Sequence, residues 1–450
     1  MKEQIAKFVS RRQLLKVAGV GSVGALLAAC APPGASSAPA AGQPAAANSE
    51  VVFWFPFEEQ GKYIETAVNK AGIGITAKWQ LGEYDDSTKT MAALAAGTPP
   101  PTSFLGRWQH PDLAARDAIV VLDDFIAGLS TFKWENLWKR LQGEALFRGK
   151  KYVIPYTTDT RALFYNKAVM ADAGLDPEKP PTTWEGLHQM AVKVMKKDTA
   201  GRLDRIGFTP TFGNPPVFVL FFTLLWCTGS SEVNEDHTKA TVATDKGEEI
   251  MVFIKQLMDD QGGYQEAGAF TKALTLAEGI DAFSAGKVAF AMNGNWVPKN
   301  YAKYSPDLKY GMIPGPAFEK YGIPANYDGG GGWYLFKKGK NLEGAQKMVG
   351  YVIEKEFMTK LCDVWGALPS RSDAGEAWAK LNEAQRRIFI QTAETVRWPI
   401  LAPFYLELFG PLATMWDNVL IGNKDIKTEL QTAQDAMQKV LDKGAKIGLS

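Results

Sequence analysis

The first thirty residues decide where the rest of the chain has to fold. Lys2 and Lys7 precede Ser10-Arg11-Arg12-Gln13-Leu14-Leu15-Lys16, and an apolar run extends from Val17 to Ala29. A charged start, a short apolar stretch and a small-residue exit make an export signal, too short to persist as a membrane span. The paired arginines match the twin-arginine type. The exit, Leu27-Ala28-Ala29-Cys30, resembles a lipobox, whose cysteine becomes the lipidated first residue. Residues 31–49 contain no charge and no large apolar side chain. Such a segment cannot build a core and reads as a tether, reaching about 60 Å when extended. The expected body therefore occupies residues 50–450, outside the membrane and held to it by lipid.

That body must be held together by burial rather than by crosslinks or metal. After Cys30 only Cys227 and Cys362 remain, either as a single pair or, the reading favoured here, as buried free thiols. His110, His188 and His237 lie far apart, with no metal-ligand spacing, so no metal and no cofactor is expected. The 450 residues, 46% hydrophobic and 22% charged, offer ample core for two or three domains. The formal charge of +1 falls to about −3 once the basic signal is removed, which argues against a nucleic-acid partner.

Strand and helix patterns alternate along the body. Val51-Val52-Phe53-Trp54-Phe55 reads as a buried parallel strand, Ile73–Trp79 as a second, and Thr102–Leu105 as a third. Between the last two, Ser87–Ala96 reads as a helix closed by Gly97 and stopped by Pro99-Pro100-Pro101. Residues 150–156 and 162–165 add strands. Thr182-Thr183-Trp184-Glu185 reads as a capping box with Glu185 at N3. Helices follow at Glu248–Met258, Leu342–Ile353 and Ile426–Leu441, and the run Val217–Trp226 reads as a core helix. The alternation predicts an α/β fold.

Several blocks resemble, in order, the extracellular solute-binding proteins of bacterial ABC importers, in particular the sugar-binding group that includes maltose-binding protein. They are the opening strand; Ala95-Ala96-Gly97-Thr98-Pro99-Pro100; Ile154-Pro155-Tyr156-Thr157-Thr158-Asp159-Thr160-Arg161-Ala162-Leu163-Phe164-Tyr165-Asn166-Lys167; Phe283–Trp296; Gly329–Gly332 before Trp333; and Gly366-Ala367-Leu368-Pro369-Ser370-Arg371. Pro101-Thr102 departs from the Asp-Val usual after the second block. The resemblance implies a two-lobed periplasmic-binding-protein fold with a ligand cleft between lobes that are each discontinuous in sequence. Matching blocks place lobe 1 at 50–157 plus 315–372 and lobe 2 at 158–314 plus 373–450. It further implies hinge closure on a sugar, delivery to the transmembrane subunits of a permease, and a monomer.

A sugar presents C–H faces and a ring of hydroxyls, so its site needs flat aromatic rings and polar groups that bond hydroxyls in pairs. Trp296, after Asn293-Gly294-Asn295, stands where the family places a sugar-facing indole, and Asn295 goes with it. Trp108 matches the region lining the other lobe, with core packing as the alternative. Trp333 and Trp365, beside Gly332 and Gly366, either face the cleft or fill the core. Asp159 matches a solute-contacting position, with a turn cap as the alternative. Arg107 and Arg371 fork to two hydroxyls or brace a carboxylate. Glu58 follows the first strand, where α/β folds bind ligands, or is a surface acid. Gly330 and Gly331 let backbone approach a ligand, or only make a loop. Tyr84 and Tyr405 are placed by rough block position. Two rival functions remain: another solute class in the same fold, and an exported glycosidase using Glu58 and Asp159 as a carboxylate pair.

Overall fold

The computed structural model describes residues 49–85, 87–209, 218–393, 395–397 and 401–446. The export signal, Cys30 and residues 31–48 of the tether lie outside the described residues. The strand Ser49–Phe55 pairs in parallel with Ile75–Leu81, Ser49 standing opposite Ile75. Parallel neighbours need a crossover, and the helix Glu58–Ala71 supplies it. The second strand begins two residues later than its apolar pattern suggests, because Gly72 and Gly74 both take positive φ and spend those positions on the turn. Thr102–Gly106 lies on the other side of the first strand, followed by antiparallel Gly331–Leu335 and then Ile154–Pro155. Phe53, Phe55, Phe104, Tyr156 and Trp333 interlock on this sheet with ring centroids 4.6–6.2 Å apart.

A second five-stranded sheet runs in the order Tyr310–Ile313, Arg161–Asn166, Val288–Gly294, Leu203–Thr209, Lys196–Lys197. Both of its faces are covered, which is why its central strands read as continuous apolar runs. In Arg161–Asn166, Ala162 and Phe164 join one apolar cluster while Leu163 and Tyr165 join the other, the period of two expected of a strand. Phe389, on the helix Glu383–Thr392, meets Phe164 on the first face at 6.5 Å. The second face packs against Trp184–Val194, Val219–Trp226, Tyr405–Leu420 and Ile426–Ala445. Cys227 and Cys362 are buried free thiols.

One expectation changes, and two connecting segments pack in ways the block order does not reveal. The N-cap before Trp184 is Thr183, whose hydroxyl accepts from Gly186 N, so the capping box is not formed. Glu185 instead accepts from Glu319 N. Residues 316–325, assigned to lobe 1, pack with the second sheet: Phe318 lies against Trp184 and Phe253, and Lys320 pairs with Glu249. The next strand of the first sheet along the chain is Gly331–Leu335. The helix Ser372–Lys380, assigned from residue 373 to lobe 2, packs on Lys355–Trp365, and Ser372 bonds Asn136 O. Block order alone could not show on which sheet these connecting segments rest.

Candidate functional site

Where the chain crosses between the sheets, one carboxylate organises its surroundings. Asp328 is fully buried and accepts from Thr158 Oγ1 at 2.8 Å and from Asp159 N at 3.0 Å. It is also ion-paired with Arg107 and, at 2.7 Å, with Arg140, which in turn pairs with Glu144. Burial alone would raise the Asp328 carboxyl, but Arg140 and Arg107 outweigh it and hold the group below the usual range. Glu144 is pushed up by burial and by the Asp328 charge, against the pull of Arg140. Four segments distant in sequence are thus pinned at the crossing. Gly330 sits beside the pin at φ 104°, where an added Cβ would fall 2.3 Å from both Arg107 Nη1 and Thr157 O. Gly331 is closed by the Phe104 ring at the same distance. Both glycines give their space to protein atoms rather than to a ligand, and Gly331 opens a strand rather than continuing a loop.

Next to the pin lies an aromatic and charged cluster. Asp159 follows Thr158 at the crossing, and burial pushes its carboxyl up to about 6, with Arg161 opposing and Asp328 reinforcing the rise. The Arg161 guanidinium lies over the rings of Trp296, at 5.2 Å, and Tyr327, at 5.1 Å. Trp296 is half-buried and lies flat on Gly294, where a Cβ would fall 2.0 Å from the indole. Trp108 meets Tyr84 edge-on at 5.4 Å and Tyr405 at 6.2 Å. Trp365 meets Phe57 at 4.9 Å, and Phe57 meets Tyr84 at 5.6 Å. Tyr405 opens its helix beside Phe404, which takes a left-handed φ of 61°. The charges of Asp85 and Asp159 both act on Tyr84 and Tyr327.

The structure thus brings together Tyr84, Trp108, Asp159, Trp296, Trp365 and Tyr405, with Arg107 behind them. It does not bring Glu58, which is exposed at a helix start and paired with Lys62. The charges that bear most on Asp159 are those of Arg161, Asp328, Arg107 and Asp85, so the imagined pair of Glu58 and Asp159 has no basis in the geometry. Trp333 is wholly buried in the first sheet's ring cluster. Arg371 is committed to Asp373, Thr131 O and Ile353 O, and braces a carboxylate. Asn295 is buried and bonds Thr160 N and Gly366 O, both at 3.1 Å. Sequence reasoning missed Tyr327, Asp328 and Arg140 as parts of this region. The available signal was an acid placed directly ahead of the glycine run, with no basic neighbour in sequence to answer it.

Residues 64–385 match the family model described as bacterial extracellular solute-binding protein. The chain belongs to this family. Among relatives of this solute-binding protein, a Brucella abortus protein named as a binding protein is 24% identical over 395 residues, 86% of this chain and 90% of its own. The diacetylchitobiose binding protein DasA of Streptomyces coelicolor is 23% identical over 378 residues, 80% and 82% of the two chains. The solved structure of CpMnBP1 with mannobiose bound shares the two-lobed fold at a TM-score of 0.75 and 21% identity, over 87% of the solute-binding protein and 100% of that chain. Among the described residues, no helix is long and apolar enough to cross a membrane, and no three His, Cys, Asp or Glu side chains are grouped to hold a metal ion.

Proposed function

We propose that this protein captures a neutral carbohydrate outside the membrane, closing its lobes over it, and hands it to the transmembrane subunits of an ABC importer. The observation that carries the reading is the cluster at the crossing: half-buried indole, flanking tyrosines, and a carboxylate beside a guanidinium. Ring faces suit C–H surfaces, and the charged pair suits hydroxyls. The lobes are divided at residues 157/158, near Asp328 and after Lys380. Asp159, Trp296, Tyr84, Trp108, Trp365 and Tyr405 are the proposed contacts, with Arg161 and Tyr327 added. Glu58, Trp333 and Arg371 take no part in this reading, being bound to Lys62, sealed among rings and committed to Asp373 respectively. Cys30 is the proposed lipid anchor, residues 31–48 the tether, and the working form a monomer. Arg107 and Arg140 are already answered by Asp328 and Glu144, which disfavours a phosphate ester as the solute. Relatives named for binding a disaccharide fit the same reading, and no turnover is expected of it.

Thermal unfolding of the purified protein across neutral mono- and oligosaccharides tests the proposal. A ligand at a hundred times its Kd adds about 2.7 kcal/mol to stability, a shift of several degrees. At least one neutral sugar should produce it and be recovered intact; a flat panel, or hydrolysis products, would reject the reading.

Asp159 gives this site a pH signature. Burial lifts its folded pKa to about 6, above the ordinary aspartate value of 3.8, so the fold favours the protonated form. Its contribution to ligand-free stability is fully present below about 4 and is lost as pH rises through about 6. Subtracting the Asp159→Asn stability curve from that of the unaltered protein should therefore leave a difference that declines from pH 4 to 7. Sugar affinity should move the other way, weakening as pH falls below 6, because the carboxylate is the better hydroxyl acceptor. Identical curves for the two proteins would remove Asp159 from the site.

A further inference from the structure

We propose that Lys299 and Asn295 form a latch that holds the two lobes together across the cleft and so sets the lifetime of the bound sugar. This rests on the two-lobed carbohydrate reading above. The helix Lys355–Trp365 packs on the first sheet's crossover helix and ends at Gly366, in the left-handed conformation at φ 81°. Gly366 N returns to Cys362 O, which leaves the last carbonyls of the helix without partners of their own. A segment that continues the second sheet meets them. Lys299, in the first turn of Val297–Tyr304, donates to Asp363 O at 3.2 Å and to Val364 O. Asn295 Nδ2 donates to Gly366 O at 3.1 Å, while its Oδ1 holds Thr160 N at the crossing. An ammonium at a helix C-terminus also meets the negative end of the helix dipole. Farther along the same helix, Glu59 of the first lobe is among the charges acting on Lys303. Hydrogen bonds from two side chains, Asn295 and Lys299, thus join this segment of the second lobe to the first.

The latch also has an address at the proposed site. Trp296 stands between Asn295 and the Lys299 helix, and a Cβ at Gly366 would come within 3.3 Å of the Trp296 backbone. Trp365 hangs from the carboxyl end that Lys299 grips. Two of the proposed sugar-contacting indoles, one from each lobe, are therefore brought to bear by the same bonds. Lys299 and Asn295 touch no sugar in this proposal; they are positioning residues.

Spin labels at T66C and K272C, on surface helices beside the first and second sheets, read lobe separation in the ligand-free chain with Cys30 replaced by serine, since Cys227 and Cys362 are buried. Lys299→Met keeps the aliphatic stem and removes the ammonium. It should lengthen the label distance in the absence of sugar and raise Kd about two- to fivefold, the range for an exposed charge at a helix end. The loss should appear in the dissociation rate, shrink at about 0.5 M salt where screening is short-ranged, and be restored by Lys299→Arg. Asn295→Ala should move distance and Kd in the same direction. An unchanged distance distribution with a lowered unfolding temperature would reduce Lys299 to a local helix cap and overturn the proposal. If no neutral sugar bound, the functional reading would fall, and the ligand-free distances would still decide the latch.

Discussion

Asp328→Ala is expected to lower the unfolding midpoint by about 4–6 °C, the largest loss for any single side chain at the crossing. The carboxylate is fully buried and answers two guanidinium groups, a hydroxyl and a backbone N–H. Removing it leaves Arg107 and Arg140 buried with only Glu144 to share between them. Breaking a buried ion pair from one side costs about 3–5 kcal/mol, because the remaining charge has lost its compensation. Asp328→Asn keeps the hydroxyl and backbone contacts and should cost less. Urea unfolding of the three proteins checks the order. A loss below about 1 kcal/mol for the alanine variant would mean that water replaces the carboxylate freely and that the crossing is not pinned by charge.

Trp296→Ala should weaken sugar binding about 30- to 150-fold while changing stability far less. Truncating a central aromatic anchor costs about 2–3 kcal/mol of binding. The indole is already oriented before any ligand arrives, by its contacts with Gly294 and the Arg161 guanidinium, so little ordering cost offsets the stacking gain. Asp159→Ala should weaken binding comparably, through lost hydroxyl bonds rather than lost surface. Calorimetric titration with the sugar found by the thermal panel measures both. Affinities within threefold of the unaltered protein in both variants would move the site elsewhere in the molecule.

What the chain discloses about itself divides along the range of the forces involved. The strands Ser49–Phe55, Thr102–Gly106 and Arg161–Asn166 were readable because burial on both faces leaves uninterrupted apolar residues in the sequence. The crossing at residues 157–160 was readable through its resemblance to a known block. Asp328 was not, because its partners lie 169 to 221 residues away and no periodicity reports a contact of that kind. The glycines at 330 and 331 were noticed for the right reason, close approach, but the approaching atoms belong to Arg107, Thr157 and Phe104. Trp333 and Trp365 carry similar glycine neighbours, yet one is sealed among rings and the other half-buried. Only the register of the antiparallel pairing, Trp333 opposite Phe104, separates them.

The interleaved order of the first sheet sets a schedule for its making. Thr102–Gly106 leaves the ribosome early, but the strand that covers its open flank, Gly331–Leu335, arrives more than 200 residues later. At bacterial rates of synthesis the interval is about 10–45 s, during which an apolar edge stands unpaired. Association of such distant segments is intrinsically slow, so the nascent chain has to be shielded by helpers until its own late strand closes the gap.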